Sequence, residues 1–324
     1  MQKIMTTAFA AVLSVAGMSG TQAADATWHH AILAAKSDSG ILFMVNKGFA
    51  EKQGLKLELT QVDSDAIGLK ALIAGQVESY EGSPAGAMIA ASRGADVKVL
   101  GCQWPGLPHG VFVRGAISKP ADLKGKTIAI SQPGAMPDQL VRALLAKYNI
   151  SADDVKFANL GSDNDRYKAL VAGIVDAAVI SGEYTPIADK AGVRMMIRGR
   201  DVLPDYLRVC IMSSGAVLKA RHDDAVKFLA AEMSAIRYVM SHRDETIALT
   251  RETAGIKPDD PRPGYMYDDA VKTKAIDPDL GLPRDKLDWM QQQSVKSGDQ
   301  PKLDDLALVT DDGPRQEALK KVGP

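Results

Sequence analysis

Apolar positions along this chain switch repeatedly between two periods: strand-like alternation gives way to helical spacing of three and four, then returns. Residues 29–35 read as a strand. Residues 41–53 carry apolar side chains at helical spacing and stop at Gly54. Residues 55–59 (Leu-Lys-Leu-Glu-Leu) alternate strictly and predict a strand with one wet face. A helix over 66–74 ends at Gly75, and 97–100 is a further strand. The order restarts after Pro108. Residues 111–113 and 127–130 predict strands, and 139–148 a helix behind Pro137 and Asp138. Two more strands, 155–160 and 175–180, flank a helix over 166–172. Beyond Ser214 the pattern is mainly helical. One helix is capped by Asp223 or Asp224 and runs to about Ser241; others cover 244–254 and 264–275, separated by the proline-rich stretch 258–263. This βαβα order predicts an α/β fold, with mostly parallel sheets covered by helices.

An internal repeat divides the chain. Residues 70–75 (Lys-Ala-Leu-Ile-Ala-Gly) correspond to 168–173 (Lys-Ala-Leu-Val-Ala-Gly) at an offset of 98. At the same offset Val77 matches Val175, Ser83 matches Ser181, Gly94 matches Gly192 and Gly101 matches Gly199. Each copy ends a helix at glycine, runs a strand toward a loop and begins another helix. Two similar lobes would set equivalent loops facing each other across a cleft.

The N-terminus carries Lys3, a short apolar run over 4–16 and then small and polar residues over 18–23. That order predicts a secretory signal peptide, residues 1–23, cut after Ala23 or one residue later. The apolar run falls short of the roughly 20 residues that span a bilayer. With no cysteine near the cut, a lipid anchor is not expected. A formal net charge of −1 argues against a nucleic-acid binder. Export permits a disulfide between Cys102 and Cys210, and the sequence leaves open whether it forms. Catalytic motifs fail on inspection. Gly125-Lys126-Thr127 imitates the end of a phosphate-binding loop, but Pro120 stands where that loop needs glycine. Ser83 follows Gly82 directly, which breaks the order of a nucleophile elbow. The five histidines lack metal-ligand spacing. His29 and His30 point to opposite faces of their predicted strand, so at least one reads as structural. No cofactor, metal or catalytic residue is expected.

The run from Pro120 to Ile130 (Pro-Ala-Asp-Leu-Lys-Gly-Lys-Thr-Ile-Ala-Ile) resembles the DLKGK-strand segment of ABC-importer substrate-binding proteins, as do the two Ala-Leu-x-Ala-Gly-x-Val segments. The layout is similar to the nitrate, sulfonate, taurine and thiamine-precursor group, the SsuA/THI5-like or NMT1-like family, over about residues 28–241. The resemblance implies a two-lobed periplasmic binding protein fold of type II. Residues 25–107 plus 212–324 would form lobe one, with the helical C-terminal region packing on it, and 108–211 lobe two. Two strand crossovers, near 102–110 and 208–214, would form the hinge and place both cysteines beside it. It also implies a periplasmic monomer that hands a small-molecule ligand to an inner-membrane ABC permease. Some relatives make a pyrimidine with a Cys-rich segment, which this chain lacks.

Ligands in open α/β folds sit beyond the carboxyl ends of strands, where helix N-termini favour anions. The loops there supply the candidates. Lobe one offers Ser37, Asp38, Ser39, Gly40, Ser64, Ser83 and Pro84. Lobe two offers Ser131, Gln132, Ala135, Met136, Asp163, Glu183 and Tyr184. Trp104 and His109 flank the first crossover; Trp104 either stacks on an aromatic or apolar ligand or packs the hinge. Arg166 and Arg208 are candidates for a two-point fork on a carboxylate or sulfonate. The serines, Asp38 and Asp163 equally suit helix caps. The favoured ligand is an organic anion with an aromatic or apolar body. The acidic candidates keep a pyrimidine or other heterocycle in view, and a sensor presenting its ligand to a membrane receptor remains the alternative to transport.

Overall fold

A computed structural model of the chain describes residues 27–33 and 39–323. The expected signal peptide, Ser37 and Asp38 lie outside the described residues. The first half of the chain forms β1 (Thr27–Ile32), α1 (Ser39–Asn46), α2 (Phe49–Lys52), β2 (Lys56–Gln61), α3 (Asp65–Ile73), β3 (Ser79–Gly82), α4 (Pro84–Ser92) and β4 (Lys98–Trp104). The chain then crosses to β5 (His109–Arg114), β6 (Thr127–Ile130), α5 (Met136–Lys147), β7 (Lys156–Asn159), α6 (Asp163–Val171), β8 (Ala177–Ser181), α7 (Thr185–Ala188), β9 (Val193–Arg198) and α8 (Gly199–Val202). It returns as β10 (Val209–Ser213) and continues through α9 (Gly215–Ala220), α10 (His222–Ser241), α11 (Arg243–Ala254), α12 (Arg262–Thr273), α13 (Arg284–Ser297), α14 (Leu306–Val309) and α15 (Gly313–Val322). Among the described residues no helix is long and apolar enough to cross a membrane.

The strands make two five-stranded sheets, ordered β2-β1-β3-β10-β4 and β7-β6-β8-β5-β9. The orders match place for place. In each, three strands run parallel, and the fourth place is an antiparallel strand from across the hinge: β10 in the first sheet, β5 in the second. The offset of 98 carries β1 onto β6, β2 onto β7 and β3 onto β8. It also relates the caps. Ser64 begins α3 by accepting the Ile67 N–H, and Ser162 begins α6 by accepting the Asp165 N–H. Behind each cap an aspartate ties the helix to the following strand. Asp65 accepts the backbone N–H of Ser83 at 2.9 Å, and Asp163 that of Ser181 at 3.1 Å. Both helices end at a glycine in the left-handed region, Gly75 (φ 68°) and Gly173 (φ 74°), where a side chain would be strained.

Three sequence expectations change in detail: α10 begins at His222, so Asp223 and Asp224 lie in its first turn and Arg221 holds the cap position. The helix expected over 41–53 is broken into α1 and α2 by Gly48, also left-handed at φ 63°. The strand expected over 97–100 runs on to Trp104, because β10 pairs with it along that length. That pairing sets Cys210 opposite Cys102, and the two form a disulfide at the foot of the hinge.

The long helix α10 buries Phe228, Leu229, Met233 and Ile236 against the first sheet, where Phe228 stacks on Trp28 at 5.5 Å. Fully burying each such side chain stabilises by roughly 1.5–3 kcal/mol. The stretch after α12 runs along the hinge: Asp277 donates its N–H to Gln103 O, and Cys102 donates to Gly281 O. Gly101 permits this approach, since a Cβ there would lie 2.3 Å from the Leu280 carbonyl. The helices after β10 do not keep to the first sheet. α12 also packs on the turn at 182–184 and on α7, both belonging to the second sheet's side of the hinge.

Candidate functional site

A cleft of about 520 Å³ opens between the two sheets at the hinge, within the size range of small-ligand sites. Its floor comes from the first sheet. Glu81 on β3 and Gln103 on β4 are both nearly fully buried, and the Gln103 amide donates to Glu81 Oε2 at 2.9 Å. His30 lies behind them, 3.7 Å from the same oxygen, and is held from its other nitrogen by Ser79 at 2.7 Å. His29, pointing the other way, is half-exposed and pairs with Glu78.

The facing wall comes from the second sheet through Asp163, Ser181 and Glu183. Burial alone would push the Asp163 carboxyl up. The neighbouring His109, the Arg166 guanidinium and the Ser181 N–H outweigh it and hold the group down at about 2. His109 Nε2 stands 3.6 Å from Asp163, while its Nδ1 is buried without a partner among the described residues. Glu183 is raised, burial being the largest cause; the charge of Arg262 works against that and Asp163 adds to it.

Arg208 projects from the second crossover, one residue before β10, and lines the cleft. Its backbone N–H is fixed to Trp104 O, but its guanidinium has no hydrogen bond or carboxylate partner among the described residues. Glu81 accepts from Gln103, and Asp163 has His109, Arg166 and the Ser181 N–H beside it, whereas the Arg208 guanidinium makes no ion pair among the described residues. Its charge falls on the phenols of Tyr80 and Tyr206, whose titrations it lowers against the upward push of burial.

The third wall is apolar and comes from the end of α10, from α11 and from α12, with Met240, Ile247, Met266 and Val271 among its residues. Sequence reading missed this wall entirely. The period of 244–254 and 264–275 signals an amphipathic face, but not what that face covers. Glu81, Gln103 and Ser181 were missed as well; only the match of Ser83 to Ser181 pointed toward one of them.

Of the residues nominated from sequence, Gly40, Trp104, His109, Asp163, Glu183 and Arg208 line the cleft. The others are placed elsewhere. Ser39 begins α1. Ser64 is a helix cap, and Ser83 begins α4 with its hydroxyl toward Tyr206. Pro84 is buried as the first residue of α4. Ser131, Gln132, Ala135 and Met136 form the turn into α5 and do not reach the cleft. Arg166 is corrected from ligand contact to internal brace. It is buried, does not line the cleft, and each of its three nitrogens is engaged inside the protein, by Val179 O, Gly161 O and Asp163. Tyr184 is corrected as well. Its ring is covered by Tyr167 at 4.6 Å and by the Arg262 guanidinium at 5.3 Å.

No curated protein matches the sequence. Among solved structures, the aliphatic sulphonate binding protein SsuA of Escherichia coli aligns with a TM-score of 0.72 and 20% identity, covering 88% of this chain and 91% of that one. The alkanesulfonate-binding protein SsuA of Xanthomonas axonopodis pv. citri, bound to MOPS, aligns at 0.66 and 20%, covering 87% and 96%. The desulfurization enzyme DSZB aligns at 0.68 and 16%, covering 91% and 99%. Likeness at such identities concerns the fold, which is that of the periplasmic binding proteins. A family model described as NMT1/THI5 like matches residues 37–246, more than half of the chain, and the chain belongs to that family.

Proposed function

We propose that this protein is the solute-capturing component of an ABC importer. In this reading it works in the periplasm as a monomer, closes on a small organic anion in the hinge cleft and presents it to a membrane permease. Closure is a shift between open and closed populations, driven by contacts made only when both lobes engage the ligand. The protein acts as a binder, and no covalent step is required.

One observation carries the ligand class: Arg208, a cation lining the hinge cleft whose guanidinium makes no ion pair among the described residues. A carboxylate or sulfonate would supply it and take two N–H bonds at once. The apolar wall then receives the ligand's body, and Trp104 borders the same space. The sulfonate-binding proteins of the same fold favour this reading. A neutral or cationic heterocycle is the second reading, favoured by the Glu81–Gln103 pair, which offers an acceptor beside an amide on the cleft floor.

The test is a melting-temperature screen against sulfonates, aromatic carboxylates, nitrate, pyrimidines and polyamines, repeated with Arg208→Gln. An anion that stabilises the wild type should bind the variant roughly tenfold to a hundredfold more weakly, the worth of a charged hydrogen bond. Equal binding would remove Arg208 from the site. Stabilisation by pyrimidines or polyamines alone would select the second reading.

A further inference from the structure

The apolar wall differs from the rest of the site in where it comes from and in how it is held. Beyond the end of α10 it is built by a helical hairpin, α11 and α12, that follows after the first sheet is complete. Most of that hairpin lies beyond residue 246, where the family match ends. Its position is set from the other side of the hinge. Asp269 of α12 pairs with Arg198 at 2.8 Å and with Arg200 at 2.9 Å, both from the second-sheet side, and Arg262 covers Tyr184. The polar floor and the cation therefore belong to the two sheets and the crossovers, while the surface facing a ligand's hydrocarbon is a separate piece clamped across them.

A second cavity of about 290 Å³ lies beside the cleft, and Trp104, Pro108, Met266 and Ala270 border both. Half of that partition is α12. Met266 is unbranched and adapts to whatever volume adjoins it. Ala270, one turn on, carries only a methyl group and leaves the space beside it open. These two positions stand between the two cavities.

We infer that the α11–α12 hairpin is the specificity-determining element of the site: Met266 and Ala270 select ligands by the length of their apolar body, and Asp269 holds the hairpin in place to do so. The inference rests on the reading of the cleft as an anion-capturing site, with Arg208 taking the head group. Head-group recognition and length selection are then carried by different parts of the chain and are separable by mutation.

The experiment is calorimetric titration of the purified protein with straight-chain sulfonates from ethanesulfonate to decanesulfonate and with the matching carboxylates. Each methylene accepted by the wall should change affinity by roughly fourfold. Ala270→Leu fills the partition and should lower affinity for the longest chains by about tenfold or more, leaving the shortest within about twofold. Met266→Ala enlarges the space and should move the optimum toward longer chains. Asp269→Asn frees both arginines and should weaken all lengths that touch the wall. Melting curves without ligand establish that each variant is folded, and Ala270→Leu and Met266→Ala act in opposite directions, so general damage cannot imitate both. Length preference unchanged in both variants, with the wild type binding, overturns the inference alone. A uniform loss across all lengths in Ala270→Leu does the same. Failure of the wild type to bind any member of either series overturns the anion reading and this inference with it.

Discussion

Replacing Cys102 and Cys210 together by alanine removes the covalent link between β4 and β10 while leaving the hydrogen-bonded register that sets the two residues opposite each other. The native backbone already holds this geometry, so the link acts chiefly on the unfolded chain. It closes a loop with a sequence separation of 108 residues. Chain-entropy arguments give about 4.8 kcal/mol at 25 °C for a loop of that length. Both cysteines are fully buried, so truncation adds a small cavity term of about 1 kcal/mol. Against a total stability of 5–15 kcal/mol for ordinary proteins, that is a large fraction. Urea unfolding followed by tryptophan fluorescence and circular dichroism should show the midpoint falling by about 2 M, for a slope near the upper end of the usual range. The melting temperature should fall by on the order of 10 °C. A midpoint within about 0.3 M of the wild type, at unchanged slope, would refute the reasoning, because it would mean that the unfolded chain gains little freedom when the loop is opened.

Arg166→Met should destabilise the protein by about 3 kcal/mol in the same urea assay, since it leaves Asp163 short of a partner and two carbonyls unmet; an unchanged midpoint would return Arg166 to the list of ligand contacts. Gly68→Ala should cost about 1–3 kcal/mol despite alanine's better helix propensity, because its Cβ would stand 2.3 Å from the Tyr80 ring; a stabilised variant would show that the ring moves aside. Asp163, held down at about 2, contributes stability that is complete above its unfolded value near 4 and is lost as pH falls toward 2. With a side chain one-third exposed, the contribution is about 1–2 kcal/mol after solvent screening, and Asp163→Asn should flatten that part of the acid-unfolding curve.

The features read correctly from sequence are those whose cause is local. Gly75 and Gly173 terminate helices because each adopts a positive φ, and a repeated helix, glycine and strand at constant offset is visible without knowing how the sheets meet. The strand around His29 and His30 assigned its two rings to opposite faces for the same reason. What stayed hidden is set by partners distant in the chain. Arg166 sits in the first turn of α6, where propensity cannot tell solvent from interior; the choice is made by Val179 O and Asp163. Glu81 and Gln103 meet across two strands that are not neighbours in their sheet, with β10 between them. The strand β3 is too short for alternation to reveal a face. The apolar wall depends on a salt link between Asp269 and two arginines some seventy residues earlier, and no pattern within α12 points there.

The order of strands in the first sheet bears on how the molecule is made. Its fourth strand, β10, is synthesised only after all five strands of the second sheet. As the chain emerges from its N-terminus, the second sheet can therefore complete its pairing while β3 and β4 still present unpaired edges with nothing between them. Such edges are templates for association with other chains. The part of the protein that appears first must wait longest to finish, and a delay between residues 104 and 209 exposes it to aggregation even though the strands of the delayed segment, β5 to β9, all belong to the other sheet.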